Sequence, residues 1–454
     1  MFPFRVLGRV LTALAFAVGS LTLLLGAAER KAPAKPASTE FRTAKRVFQQ
    51  KFRSKQTADR VAAVRKLADV PGREAAELLW QSVLGDDSRE VRRAACELVS
   101  GWEDQPGVSR TLLDLATRTT RKAGMDLRSC CVIRALAGTE NGDLQNDVLG
   151  YLDEFLGTPR ANQRMVHDLV DALGEQGSVE SLRILTLFSR AKFFEKNFGF
   201  RRCVLQGVVR VPGDDTITFV IDLLPRLKGL VQYDVITYLI RATGENYRDD
   251  AAGWKAWWVA QQQKLSKRKD PPPVGNFGAS GAFYGIPIGA KRVVFVLDIS
   301  RSMEKGGRID AAKRELSEVI QSLPPDVYFG IVAFHGLVHV WQQELMPANE
   351  GNRKRAIESV MGQETRGGTS SYDALEAAFA LDPEAIYFVT DGQPVTGKIV
   401  DPKEIVASVA DANRVRRISV HSIGIGTGDG GNIFSSFLRD LAEADWGEYR
   451  AVDH

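Results

Sequence analysis

Three short polar clusters in the last third of the chain carry side chains that can do chemistry. Asp298-Ile299-Ser300-Arg301-Ser302 follows the apolar run 293–297, Gly367-Gly368-Thr369-Ser370-Ser371 precedes a helical pattern, and Thr390-Asp391-Gly392 follows the apolar run 385–389. Alternate spacing in the first cluster lets one carboxylate and two hydroxyls, those of Asp298, Ser300 and Ser302, point to one side. Thr369 adds a hydroxyl from a loop that Gly367 and Gly368 allow to approach closely, and Asp391 adds a second carboxylate. Hard oxygen donors, few carboxylates and room for water suit Mg²⁺, which takes octahedral coordination at about 2.0–2.1 Å; Mn²⁺ and Ca²⁺ are the alternatives. The absence of His and Cys from the set argues against zinc. A nucleophilic role for Ser300 or Ser302 needs a histidine base, and no histidine of the chain has a local case for one. The expected chemistry is ion binding, with no catalytic residues.

The elements that must position these clusters alternate strand and helix. Strands are expected at 293–300, 327–335, 338–345, 385–392 and 419–426, and helices at 308–322, 352–362, 371–380, 402–414 and 432–443, with 447–452 closing the sheet. Such alternation implies a mostly parallel, doubly wound α/β sheet with helices on both faces, and ligands at the carboxyl ends of its strands. All three clusters fall at that edge. The run 283–288 (FYGIPI) is expected as an edge strand, since Pro287 cannot donate to a central ladder. Gly426-x-Gly428-x-x-Gly431 formally matches a dinucleotide fingerprint, but too little chain follows it for another strand–helix–strand unit, so it reads as an edge loop.

This arrangement closely resembles the metal-ion-dependent adhesion site of von Willebrand factor A domains. The D-x-S-x-S motif is intact at Asp298, Ser300 and Ser302, the loop threonine matches Thr369 and the later aspartate matches Asp391, and the order of elements fits over 291–454. The resemblance implies that Asp298, Ser300 and Ser302, and often Thr369, bind the metal while Asp391 acts through water. It also implies that an exposed Asp or Glu of a protein partner completes the shell.

Upstream, from about Thr39 to Leu265, apolar residues recur at helical spacing between short breaks. Similar segments begin at Ala63, Ala95, Cys131, Asp168, Val204 and Val235, separated by 32, 36, 37, 36 and 31 residues. Each is a helix end, a break and then another helix, and a lone helix pair cannot bury its apolar face, so neighbours must stack. The stretch from Asp87 to Ala95 (DSREVRRAA) makes this region resemble HEAT repeats, loosely, over most of 42–260. Trp254, Trp257 and Trp258 share one helix face at the end of the array and are expected to cap it. Cys96, Cys130, Cys131 and Cys203 lie among apolar neighbours without zinc spacing, and are expected as buried small side chains. A disulfide needs an oxidising compartment, and sequence does not pair them.

The N-terminus has a basic start (Arg5, Arg9), an apolar stretch from Leu11 to Leu25, and small residues at Gly26-Ala27-Ala28. That is the form of an export signal; about 15 apolar residues are short of the roughly 20 a bilayer span needs. Retained, it would be an N-terminal membrane anchor. The expected organisation is a signal peptide at 1–28, a linker at 29–41, an all-α HEAT-like solenoid at 42–265, a linker at 266–288 and the α/β domain at 289–454. The C-terminal part from Lys291 holds 18 Lys and Arg against 24 Asp and Glu, while the whole chain is +4, so the upstream part is basic. Spread over such lengths, neither charge points to nucleic acid. The function expected is therefore that of a secreted, periplasmic or cell-surface binding protein, not an enzyme, gripping a partner carboxylate through Mg²⁺. The alternative is a scaffold whose helical repeats are the main interaction surface and whose metal site is only structural.

Overall fold

Helical periodicity gives way to buried strands near residue 281, and the computed structural model, which describes residues 39–102, 105–262, 281–426 and 433–453, changes architecture there. The signal sequence, most of both linkers, and Gly428 and Gly431 of the glycine-rich loop lie outside the described residues. No helix among the described residues is long and apolar enough to cross a membrane. The helical region comprises α1 (Thr39–Phe52), α2 (Thr57–Arg65), α3 (Arg73–Ser82), α4 (Arg89–Ser100), α5 (Pro106–Ala123), α6 (Leu127–Ala137) and α7 (Gly142–Phe155). It continues with α8 (Gln163–Gln176), α9 (Val179–Phe188), the short α10 (Lys192–Lys196), α11 (Phe198–Arg210), α12 (Asp214–Leu223), α13 (Leu230–Thr243) and α14 (Ala251–Gln262).

The helices α1 and α2 belong to a separate compact unit that ends at Val70. Within it, Phe48 is buried and stacks on Phe52 at 4.7 Å. From Pro71 onward the chain is one unit. In the second unit the similar segments fall on α4, α6, α8, α11 and α13, each the first helix of a successive pair, while α2 of the first unit carries the remaining one. In the second unit these first helices pack side by side, α4 on α6, α6 on α8, α8 on α11 and α11 on α13. The α8–α11 contact needs glycine at Gly174, since a Cβ there would lie 2.8 Å from the Gly207 Cα. At the end of the array Trp254 and Trp258 are buried, and the Trp258 Nε1–H donates to Thr218 Oγ1 of α12 at 2.8 Å. The tryptophans cap the stack as their spacing suggests.

The α/β region comprises β1 (Ala282–Phe283), β2 (Ile286–Pro287), β3 (Arg292–Asp298), α15 (Arg308–Ser322), β4 (Tyr328–Phe334), β5 (Val338–Val340), β6 (Met346–Pro347) and α16 (Glu350–Met361). Then come α17 (Ser371–Ala380), β7 (Ala385–Thr390), α18 (Pro402–Asn413), β8 (Ser419–Ile425), α19 (Ile433–Ala444) and β9 (Tyr449–Val452). The main sheet runs β5-β4-β3-β7-β8-β9 with β6 also on β4; β5 and β6 are antiparallel to β4 and every other pairing is parallel. Chain order reverses direction at β3, so the crevice of a doubly wound sheet opens at its carboxyl end. Val293, Phe295 and Leu297 face one core and Val294 and Val296 the other, which is why the strand reads as a continuous apolar run.

Two expectations need correction. The segment 283–288 does not join the main sheet: β1 and β2 form their own two-stranded hairpin, turned by Tyr284 and Gly285 at positive φ. Phe283, Ile286 and Ile288 are buried in the α/β core, so this piece of the supposed linker is part of that domain. The strand expected over 338–345 is shorter: the ladder pairs Val338–Val340 with Val332–Phe334, and its last hydrogen bond to β4 runs from the Trp341 N–H to the Ile331 carbonyl at 2.9 Å.

The helical region and the sheet are locked at the amino ends of the strands. Arg202 of α11 is buried; its Nε donates to Asp234 Oδ2 at 2.8 Å, its Nη1 to the Arg417 carbonyl at 2.5 Å and its Nη2 to Ser419 Oγ at 2.9 Å. Arg417, also buried, reaches back to Gln206 Oε1 at 2.9 Å and Asp171 Oδ2 at 2.5 Å and lies over the Trp446 ring. Glu384, just before β7, accepts the N–H groups of Leu230 and Lys291 at 3.1 and 2.8 Å. Fully satisfied buried charges fix geometry more than they add stability; the exposed pairs Arg164–Asp411 and Arg414–Asp168 add little.

Asp445, at the end of α19, is fully buried, accepts one hydrogen bond from Asn413 Nδ2 at 2.8 Å, and has no partner for Oδ2 among the described residues. Burial pushes its carboxyl up to about 6. The folded state therefore holds this proton more tightly than the unfolded chain, and the associated stability is lost as pH rises through about 6. Asp445→Asn keeps the Asn413 contact and removes the buried charge. At about 1.4 kcal/mol per pKa unit, the rise of roughly two units allows a stabilisation of up to about 3 kcal/mol at pH 8, with the gain shrinking as pH falls toward 4. Urea midpoints across that range check this, and a pH-independent difference would contradict it.

Candidate functional site

At the carboxyl end of β3 the chain leaves the sheet through Asp298, Ile299 and Ser300. The Asp298 carboxylate is fully buried: Oδ1 accepts the Ser300 N–H at 2.7 Å and Oδ2 accepts the Thr390 hydroxyl at 2.5 Å. The Ser300 and Ser302 hydroxyls are 3.0 Å apart, and Ser302 Oγ donates to Asp391 Oδ1 at 2.7 Å. Asp298, Ser300, Ser302 and Asp391 thus form one connected oxygen cluster bridging the ends of β3 and β7. Burial pushes the Asp298 carboxyl up to about 6, against the opposing pull of its Thr390 and Ser300 hydrogen bonds.

Thr369 is brought to the same edge by its backbone. The Arg366 N–H donates to the Ile299 carbonyl at 3.0 Å, and Arg366 bridges Ser300 in parallel. Gly368, at φ +93°, lies so close to Gly336 that a Cβ on it would be 2.8 Å from the Gly336 Cα. The Thr369 N–H donates to Thr396 Oγ1 at 3.1 Å. The threonine is buried, and its hydroxyl is not hydrogen-bonded to the other four site residues. The structure therefore joins four expected ligands directly and holds the fifth on the adjoining loop.

The donor set is all oxygen, and among the described residues no group of three or more His, Cys, Asp or Glu side chains is placed to hold a metal. A carboxylate-rich or thiolate cage is not what this edge offers. Two carboxylates with three nearby hydroxyls suit a hard divalent cation. Among the described residues no cationic side chain pairs with Asp298, so hydrogen bonds hold its buried carboxyl, and these residues fit Mg²⁺.

Sequence reasoning placed Thr390 in the third cluster without a role and missed Arg308. The Arg308 Nη1 donates to Asp391 Oδ2 at 2.8 Å, and its guanidinium lies over Gly426, where a Cβ would come within 2.5 Å of it. Gly426, from the glycine-rich loop, thus gives Arg308 the space to reach Asp391. Neither pairing leaves a local sequence signal, as Arg308 and Asp391 are 83 positions apart. Glu304 accepts the Thr365 hydroxyl across the site loop, whereas nothing in the structure gives Arg301, which is exposed, a role. Asp373, in the first turn of α17, accepts the Lys398 N–H at 3.1 Å. Of the two histidines flanking the β4–β5 turn, His339 is exposed as its hairpin position suggests, but His335 is buried: its Nε2 is 3.1 Å from that of His339, and its carbonyl accepts both the N–H and the hydroxyl of Ser370. The β4–β5 hairpin therefore props the Thr369 loop.

Residues 291–451 match the family model described as von Willebrand factor type A domain. Among curated proteins, the chain is 28% identical over 181 residues to inter-alpha-trypsin inhibitor heavy chain H3 of Bos taurus, a match covering 37% of this chain and 20% of that protein. It is 32% identical over 149 residues to heavy chain H1 of Sus scrofa, covering 30% of this chain and 16% of that protein. The chain thus spans a fifth or less of these relatives' length. Among solved structures, the von Willebrand factor type A protein from Catenulispora acidiphila aligns at 22% identity with a TM-score of 0.32, over 37% of this chain and 39% of that one. The parallel sheet, its reversal at β3 and the match over 291–451 together identify this part of the chain as a von Willebrand factor type A domain, carried behind an all-helical region.

Proposed function

We propose that this chain is an exported binding protein, not an enzyme, whose type A domain engages an Asp or Glu side chain of a protein partner through Mg²⁺. Asp298, Ser300 and Ser302 would hold the ion with Thr369, and Asp391 would act through water. The observation that carries this reading is the Asp298 carboxylate: fully buried, oriented by Ser300 and Thr390, and, among the described residues, without a cation of its own. A buried carboxylate without a counter-charge is costly, and a divalent ion at this position would offset that cost. Bound there, Mg²⁺ would supply a positive centre for an incoming carboxylate. The chain's own contribution is to fix the oxygens and to present this edge outward, away from the edge held by the helical region. The apolar N-terminal stretch with its basic start supports export.

The helical region is read as a HEAT-like scaffold. A second reading, with this region as the main interaction surface and the metal site only structural, is favoured by a groove of about 930 Å³ along α4, α6 and α8. A pull-down from a native extract in Mg²⁺, against the same in EDTA, separates the two. The first reading expects partners that disappear with chelation; identical sets of captured proteins would favour the second.

A further inference from the structure

The groove of the helical region has two cysteines at its floor, Cys96 on α4 and Cys131 on α6. All four cysteines of the chain are buried and free. Only Cys96 and Cys131 meet: the Cys96 thiol donates to the Cys131 carbonyl oxygen at 3.5 Å, which sets the two side chains on facing turns of α4 and α6. One turn further along, Ser100 Oγ donates to the Ala135 carbonyl at 3.0 Å, with the same offset of 35 residues. The helices are thus in register over both turns, so the pair is set by the packing of the array and not by one side chain's rotamer.

The surroundings of the pair are asymmetric. Arg92 and Arg134 border the same groove. The adjacent Cys96 thiol holds the Cys131 thiol below its usual range, with Arg92 and Arg134 adding to the effect, while Cys131 and burial push the Cys96 thiol up. Cys130 also borders the groove, but burial pushes its thiol far up; Cys203 lies outside the groove and burial pushes it up to about 12. Thiolate character on one sulfur with a second thiol beside it is what stepwise thiol–disulfide exchange requires.

We propose that Cys96 and Cys131 are a redox-active dithiol at the floor of the helical groove, which closes to a disulfide on meeting a small disulfide oxidant such as oxidised glutathione. The Cys131 thiolate attacks one sulfur of the oxidant, breaking its S–S bond and releasing one glutathione thiolate. Cys96 then gives up its proton, and its sulfur attacks the Cys131 sulfur of the mixed disulfide, expelling the second glutathione. Two protein thiols are oxidised, one oxidised glutathione is reduced to two glutathione molecules, and the two thiol protons end on those products. The closed form ties α4 to α6 and fixes the groove floor. This inference does not depend on the metal site.

The test uses the full chain with oxidised glutathione as the probe, followed by thiol counting after denaturation and non-reducing peptide mapping. The expected result is a fall from four free thiols to two, with one linkage, Cys96 to Cys131. Cys96→Ser is expected to stall as a mixed disulfide on Cys131, and Cys131→Ser to carry neither linkage nor adduct at Cys96. A count that stays at four in the parent protein, or a linkage through Cys130 or Cys203, overturns the proposal.

Discussion

Replacing Asp298 by Asn is expected to weaken divalent-ion binding by roughly a hundredfold or more, about 2.8 kcal/mol, while leaving the ion-free protein at least as stable as the parent. Asn keeps the shape of the side chain. Its oxygen still accepts the Ser300 N–H, and its amide donates to the Thr390 hydroxyl, which now accepts in place of donating. What disappears is the negative charge, and that charge has opposite effects in the two states. Without an ion it is buried and costly, which is why burial holds the carboxyl up to about 6. With an ion it is the carboxylate on which the proposed site is centred. Alanine is a poorer test, because it orphans two buried donors at about 1–3 kcal/mol each.

The measurement is thermal unfolding with and without saturating Mg²⁺. A ligand at a hundred times its dissociation constant stabilises the native state by about 2.7 kcal/mol, so the parent should melt at a clearly higher temperature with the ion. The variant should keep at most about 0.4 kcal/mol of that stabilisation at the same concentration and should match or exceed the parent without it. Equal Mg²⁺-dependent shifts in both proteins would remove the basis for assigning Asp298 to an ion.

Much of this edge is legible in the sequence, for a physical reason. A strand buried on both faces must be a continuous apolar run, so Val293–Leu297 and Ala385–Val389 announce themselves. The first polar residues after such runs must lie at the carboxyl edge of the sheet, which places Asp298 and Asp391 without knowledge of the fold. Local turn chemistry likewise marks Ser371 as the start of α17. What the sequence conceals is any pairing whose partners are remote and whose own surroundings look ordinary. Arg308 reads as the first residue of an amphipathic helix, and only the bend of the Gly426 loop shows that it serves Asp391. Arg202 and Arg417 read as surface arginines of α11 and of a loop; they are buried only because the helical region and the domain pack on each other. The 283–288 hairpin was obscured by composition, since its glycine and proline look like linker while Phe283 and Ile286 do the packing.

That packing gives the second large effect: Gly199→Leu is expected to destabilise the chain by about 3 kcal/mol and to loosen the helical region from the type A domain, while the Mg²⁺ response survives. Gly199 lies in the first turn of α11. A Cβ there would stand 2.1 Å from the Val415 carbonyl oxygen and 2.8 Å from that of Arg416. Both obstacles are backbone, and the loop carrying them cannot easily retreat. Asn413 ties it down by donating to the Ile418 carbonyl at 2.7 Å and accepting the Ile418 N–H at 2.9 Å, and Arg417 is held at φ +57° with its guanidinium between Gln206 and Asp171. Relief therefore requires α11 to lift from the loop, which breaks the Arg202 and Arg417 contacts together. Because this interface sits at the amino ends of the strands and the oxygen cluster at their carboxyl ends, ion binding should be nearly unaffected. Gly150→Ala is the control: it lies inside α7 with nothing within 4 Å of a new Cβ, so it should gain about 0.5–1 kcal/mol. Urea midpoints and the rate of limited proteolysis between the two regions distinguish these outcomes. A Gly199→Leu protein as stable and as protease-resistant as the parent would mean that the helical region is not anchored to the type A domain through α11.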